Sequence, residues 1–416
     1  MKRSMLNPRK IEIPSAKTYK LEGMLRVSEA LSFPQLGRRT VLVAGTNGKG
    51  STCAYLTALF KESGLKVGTY SSPHVVDRTE RIRINGKPIR ESLLKRYEKR
   101  YESHLKSLTY FEKMTVLAFL IFRDLKVDVQ VLEVGMGGRL DATNVSDPDI
   151  SAITRIDYDH QEVLGKTLTL IASEKSGVMR AGRVCVTGSQ WTEARQQIRS
   201  EAKTRGVLLR ISRLSDFTTA ERKTLQQVEK DWGDHQFQNA MIALNVFKQA
   251  QKDWNLGRSL GTSKLAQCLS SQALWPARLQ VLRKKPLLLV DGAHNINSID
   301  AFVAYWKRHH RALKDVQCIF GVMEDKDVAE MLKHLKPIVS SFHLPSFYPE
   351  RELKPQQLES KIKSMKPSAN VTVYSSTRQC VKALLARSLK LKSPLISLGS
   401  LYLAGSVLSE LKGKRL

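Results

Sequence analysis

Short runs of consecutive apolar residues punctuate this chain, and longer stretches with a wider apolar period separate them. In the first two thirds the runs fall at 40–44, 67–71, 128–133, 150–154 and 184–187. Continuous apolar runs of this length read as strands buried on both faces, and their alternation with helical stretches implies a mostly parallel sheet covered by helices. Residues 51–60 read as the helix after the first run. The segment 113–124 is apolar nearly all round and reads as a buried helix beside the central strands. From Arg278 the pattern restarts, with strand-like runs at 287–291, 316–321, 338–342, 371–375 and 395–398. The expected architecture is α/β, with a larger sheet in residues 1–276 and a second, smaller one in 277–416. Their boundary is expected within 271–277, where Trp275 and Pro276 interrupt a helix-like stretch. No repeat of fixed period and no low-complexity segment interrupts this organisation.

Composition agrees with two cores. A chain of 416 residues, 42% of them hydrophobic, has ample material to bury and is long for one core. No apolar run approaches the length of a membrane span, and the first ten residues lack the apolar stretch of a signal peptide, so the expectation is a soluble cytoplasmic protein. The five cysteines are odd in number, widely spaced and without a C-x-x-C pair, which argues against a disulfide framework or a zinc site. The net charge of +29 suggests nucleic acid or an anionic membrane as partner. Its distribution points elsewhere: 23 Lys and Arg stand against 11 Asp and Glu from residue 281 onward, and 45 against 28 before it. Both parts are basic and neither ends in a long basic tail, as expected of solvated faces or of steering toward anionic substrates.

The most specific chemistry lies in residues 41–52, VLVAGTNGKGST, where an apolar strand empties into a glycine loop carrying one lysine and two hydroxyls at the mouth of a helix. Gly45, Gly48 and Gly50 let backbone amides approach an anion, and the helix N-terminus adds its partial positive charge. Lys49 would sit on phosphates, with Ser51 or Thr52 near magnesium. An ordinary strand-to-helix turn accounts for the glycines but not for the lysine and hydroxyls. The first domain therefore reads as a P-loop-type ATP-binding domain and the second as Rossmann-like. A glycine separates lysine from serine here, unlike the common G-x-x-x-x-G-K-[ST] loop.

Further motifs follow in order: SSPH at 71–74, ERIRING at 80–86, LEVGMGGRLDATN at 132–144, Asp159-His160, ASEKSG at 172–177, Asn239, WPAR at 275–278, DGAHN at 291–295, DKD at 325–327 and GSLY at 399–402. Together with the glycine loop they resemble the folylpolyglutamate synthase and dihydrofolate synthase family, within the wider Mur ligase superfamily, along nearly the whole chain. The resemblance implies an ADP-forming amide ligase. In such an enzyme ATP phosphorylates a pteroate or folate carboxylate, and the amine of L-glutamate attacks the acyl phosphate. Charge neutralisation by a lysine, backbone amides and metal ions suits that phosphoryl transfer.

By that resemblance Asn47, Gly48, Lys49, Gly50, Ser51, Asn239, Arg278 and Asp291 would contact ATP, and Ser72, Glu133 and His160 would hold Mg²⁺. Lys49, His160 and Lys175 would be the catalytic residues. A hydroxyl and a carboxylate suit a hard cation; His160, from its chemistry alone, is equally a ligand or a structural hydrogen-bonding residue. Lys175 matches a position that carries a carbamate in related enzymes, which would help hold a second magnesium. An ion pair with Glu174 is the ordinary alternative. The resemblance also admits K⁺. Phe111, Glu112, Leu140, Asp141 and Ala142 would line the pterin site, where an aromatic ring and a carboxylate suit a flat heterocycle. His294 would face the cleft.

The implied partners are dihydropteroate or reduced folate, L-glutamate and ATP, with no nucleic acid or membrane and a monomeric enzyme. Both glutamate additions are expected. Folylpolyglutamate synthesis alone, a Mur-type ligase of UDP-linked precursors and a basic nucleotide-dependent nucleic-acid-binding protein are the alternatives.

Overall fold

The computed structural model describes residues 21–257, 260–270, 274–365 and 367–412. Part of the expected interdomain boundary, 271–273, and the first twenty residues lie outside them.

Among the described residues the first sheet has eight strands: β1 (Arg39–Ala44), β2 (Val67–Tyr70), β3 (Ile82–Ile84), β4 (Lys87–Pro88), β5 (Val129–Glu133), β6 (Ile150–Ile153), β7 (Val184–Thr187) and β8 (Leu208–Ile211). Their order is β4-β3-β2-β5-β1-β6-β7-β8, parallel from β2 to β8 and antiparallel at β3 and β4. Alternate residues feed opposite cores. Val41 and Val43 pack on one face with Val129, Val131, Ile150 and Ala152, and Leu42 and Ala44 pack on the other with Leu132 and Ile153. Helices cover both faces, so the strands are continuously apolar. The helix Tyr110–Asp124, buried from Met114 to Phe122, is the one expected from its all-round apolar sequence, and a capping box between Thr109 and Glu112 starts it.

The second sheet contains β9 (Gln280–Lys284), β10 (Leu287–Val290), β11 (Gln317–Phe320), β12 (Ser341–Pro345), β13 (Asn370–Tyr374) and β14 (Leu395–Leu398). It runs β13-β12-β11-β14-β10-β9 and is parallel except for β9. Leu287 and Leu289 enter one core and Leu288 and Val290 the other. All five cysteines are free and buried.

Three differences from the sequence reading have simple causes. The strand expected at 338–342 runs instead from Ser341 to Pro345; Ile338 and Val339 close the preceding helix turn, their amides bonding to the Leu335 carbonyl. The edge strands β8 and β9 lack a continuous apolar run because solvent reaches alternate residues, Leu208 being 61% exposed. The β3–β4 hairpin is too short to show a period.

Among the described residues no helix is long and apolar enough to cross a membrane.

Candidate active site

A cleft of about 1910 Å³ opens where the carboxyl ends of β1, β2, β5 and β6 meet those of β10, β11 and β14, the usual ligand position of open α/β sheets. Both domains line it. The glycine loop lies on its floor and leads into the helix Lys49–Glu62. Gly48 is its N-cap, at φ +92°, and a β-carbon there would lie 2.1 Å from Asn239 Oδ1. Only glycine meets both demands. Lys49 Nζ folds back to donate to the carbonyls of Gly45 and Thr46, both at 3.0 Å. The buried Lys175 Nζ donates to the same Gly45 carbonyl at 2.9 Å. Burial, then the Lys49 cation, lowers the Lys175 pKa to about 7. Of the two loop hydroxyls, Ser51 lines the cleft and accepts from Gln236 Nε2 at 3.2 Å, whereas Thr52 is fully buried.

Opposite the loop, Glu133 ends β5 almost completely buried, with the Ser72 amide donating to its Oε2 at 3.1 Å. Burial raises its pKa, and Lys49, Arg278 and Arg81 are the nearby cations that oppose this. His160 sits at φ +50° beside Asp159, its ring Nε2 3.8 Å from the carboxylate; burial lowers its pKa, which favours the neutral imidazole. Among the described residues no three His, Cys, Asp or Glu side chains gather as a metal cluster. A hard cation at Ser72, Glu133 and His160 would therefore rely on one buried carboxylate, a hydroxyl, a neutral imidazole and the oxygens of a ligand. That donor set fits Mg²⁺, which commonly keeps water and phosphate oxygens.

On the second domain's side Arg278 lines the cleft, its Nη1 donating to the Ala277 carbonyl at 3.2 Å. Asp291 accepts from the amides of Leu279 at 2.6 Å and Ala293 at 2.8 Å, so its carboxylate braces the segment that carries Arg278. His294 also faces the cleft, its Nδ1 2.8 Å from the Gly292 carbonyl. Asn239 lines the wall beside Gly48, with Nδ2 3.4 Å from Gln236 Oε1.

Phe111, Glu112, Leu140, Asp141 and Ala142 line the end of the cleft beyond β2 and β5. The Phe111 ring lies tilted 5.9 Å from that of Tyr70. Asp141 works differently from the expected contact to a heterocycle: Oδ2 accepts from the amides of Gly135 and Met136, and Oδ1 from the amide and hydroxyl of Thr143. Four donors fill its acceptor capacity. It shapes the loop that presents Leu140 and Ala142. Glu112 likewise lends Oε2 to the Thr109 amide and hydroxyl.

Several pairings in and around the cleft escape a sequence reading because the partners are remote in the chain. Asn295 Nδ2 donates to Asn47 Oδ1 at 3.1 Å across the domains, and Lys326 Nζ pairs with Asp159 at 2.9 Å. Trp191 Nε1 donates to the buried Asp157 at 2.6 Å, with Arg155 4.4 Å above its ring.

The Mur ligase middle domain family matches residues 43–247, and the Mur ligase glutamate ligase domain family matches residues 277–400. A dihydrofolate synthase/folylpolyglutamate synthase of Bacillus subtilis is 32% identical over 348 residues, 78% of this chain and 80% of that protein. The chain belongs to the folylpolyglutamate synthase/dihydrofolate synthase family of Mur ligases. It is therefore an ADP-forming, ATP-using ligase. Escherichia coli FolC in complex with DHPP and ADP superposes with a TM-score of 0.82 at 28% identity, covering 98% of this chain and 97% of the other. A Mycobacterium tuberculosis folylpolyglutamate synthase complexed with ADP shares the fold, with a TM-score of 0.83 at 23% identity over 95% of each chain. The two sheets correspond to the two ligase domain families.

Proposed function

We propose that this enzyme adds L-glutamate to dihydropteroate and, in a second reaction, to reduced folates. The observation that carries the reading is that one cleft joins a cation-rich phosphate loop, a buried carboxylate facing it, and an apolar wall ending in Phe111, Leu140 and Ala142. The Bacillus relative is named for both activities. We take the division between the two domains to fall at 276/277.

A carboxylate oxygen of the pteroate attacks the γ-phosphorus of ATP, the bond to the β-phosphate oxygen breaks, and ADP leaves an acyl phosphate. The glutamate amine then attacks the carbonyl carbon, expels phosphate and loses a proton, leaving the amide. Lys49 exchanges its loop carbonyls for phosphate oxygens, and Arg278 supplies a second cation from the other domain. Ser72, Glu133 and His160 would hold Mg²⁺, which neutralises charge on the transferring group. Asn239 and the Asp291-braced segment frame the nucleotide. Lys175, whose amine pKa burial lowers to about 7, has its neutral form favoured and can add CO₂, forming a carbamate and releasing a proton. The anion would relieve the repulsion from Lys49.

The deciding experiment measures glutamate-dependent ADP release with dihydropteroate and with tetrahydrofolate, beside Lys49→Ala and with intact-mass analysis in bicarbonate. Turnover of both acceptors, abolished in Lys49→Ala, is expected. Turnover of tetrahydrofolate alone overturns the first activity, and a fully active but unmodified Lys175 overturns the carbamate.

A further inference from the structure

The helix Leu401–Leu411 of the second domain starts at the cleft and then leaves it, running over the first domain. Its first residue and the Arg278 side chain both lie against Gly292: a β-carbon built there would fall 2.3 Å from Leu401 Cδ2 and 2.9 Å from Arg278 Nη1. One turn later, Gly405 faces the first domain. There a β-carbon would lie 1.7 Å from the carbonyl oxygen of Val75 and 2.7 Å from its carbonyl carbon. No rotamer relieves that clash, since both obstacles are backbone.

The receiving loop is rigid. Glu80 accepts from the consecutive amides of Val75, Val76 and Asp77 at 3.0, 3.0 and 2.9 Å, and Asp77 caps the following turn. Three residues before Val75, the Ser72 amide holds Glu133. The Val75 side chain packs into the second domain's core beside Leu401, Leu403 and Val407. One helix thus lies against Gly292, the residue that Arg278 also approaches, at its start and against the Ser72–Val75 loop one turn later.

We propose that Gly405 is a positioning residue, whose missing side chain lets the second domain seat directly on the Val75 carbonyl and thereby sets the separation between Arg278 and the Glu133 side of the cleft. The proposal deepens the ligase reading and rests on it, since the separation matters only if both sides act on one phosphoryl group. Reactive groups displaced by an ångström lose rate steeply. A methyl at position 405 wedges the domains apart while leaving the phosphate loop, wholly within the first domain, intact.

Gly405→Ala tests this, with Ser409→Ala on the exposed side of the same helix as control and Val75→Ala as a second variant that keeps the backbone contact. Alanine is the better helix former, so a glycine without a close-packing role would yield a more stable, fully active variant. The expected result is a kcat at least tenfold lower in Gly405→Ala and a larger radius of gyration by X-ray scattering with ADP bound at saturation. Val75→Ala should lose less than threefold in kcat, and Ser409→Ala should match wild type. Unchanged kcat, an unchanged radius of gyration, a general collapse of melting temperature, or an equal loss in Val75→Ala each overturns the proposal. Scattering reads the wedge without the reaction. An expanded variant beside a wild type lacking glutamate-dependent ADP release would place the failure in the ligase reading instead.

Discussion

Lys49 and Lys175 donate to one acceptor, the carbonyl oxygen of Gly45, at 3.0 and 2.9 Å. Two ammonium groups on one carbonyl repel, and the buried one carries the cost: burial and then Lys49 bring the Lys175 amine from its ordinary 10.5 to about 7. The site stores excess positive charge where an anionic ligand binds.

The first prediction concerns stability against pH. Between about pH 7 and 10.5 the unfolded chain keeps a proton that native Lys175 has released, so this group's contribution rises with pH across that window; below 7 the full penalty of the buried cation is present. In carbonate-free buffer, Lys175→Met should melt above wild type at pH 7, with the gap shrinking toward pH 10. A gap that is constant across that range in parallel thermal melts would contradict the assignment.

Gly48→Ala places a methyl against Asn239 Oδ1 in a left-handed backbone conformation. The strain is about 1–3 kcal/mol. Because Asn239 must move, calorimetric ADP affinity should fall by roughly tenfold, the equivalent of 1.4 kcal/mol. Wild-type affinity in this variant would mean that loop and Asn239 adjust independently.

Glu133→Gln retains the shape of a buried side chain but removes the negative charge facing Lys49 and Arg278. Turnover at saturating ATP should drop by about two orders of magnitude, the scale on which a single electrostatic stabiliser acts. The magnesium concentration for half-maximal rate should rise. Initial rates across a magnesium titration test both, and an unmoved midpoint would remove Glu133 from the metal site.

Asp141→Asn sets an amide NH₂ against two of the four donors that the carboxylate now accepts. Unpairing buried donors costs about 1–3 kcal/mol. The loop carrying Leu140 and Ala142 should loosen, raising KM for the pterin substrate more than KM for ATP. Equal changes in both constants would show a general loss of fold.

How much of this was legible in the sequence depended on how local the cause was. The parallel strands β1, β2, β5, β6 and β7 announce themselves because both faces are covered, and the glycine loop because its backbone demands and its lysine lie within six residues. Asp141 is expected at the pterin site from the resemblance, but its hydrogen bonds to Gly135, Met136 and Thr143 are not part of that expectation, because they depend on how the loop folds back on itself. Asn47–Asn295 and Asp159–Lys326 could not be read from spacing: each joins residues more than 160 positions apart. Gly405 is silent for the same reason, because the carbonyl it admits belongs to the other domain.

The buried cysteines have a practical consequence. Cys53 lies in the helix that follows the phosphate loop, Cys185 in β7, Cys268 under the first domain's helices, and Cys318 and Cys380 in the two cores of the second sheet. The thiols are sealed in four packing layers, Cys53 and Cys268 sharing one, and burial pushes the pKa of each up. Alkylation must therefore wait for the layer above each to open. The order in which these thiols become labelled gives a residue-resolved record of which parts of the enzyme loosen during turnover, without any engineered probe.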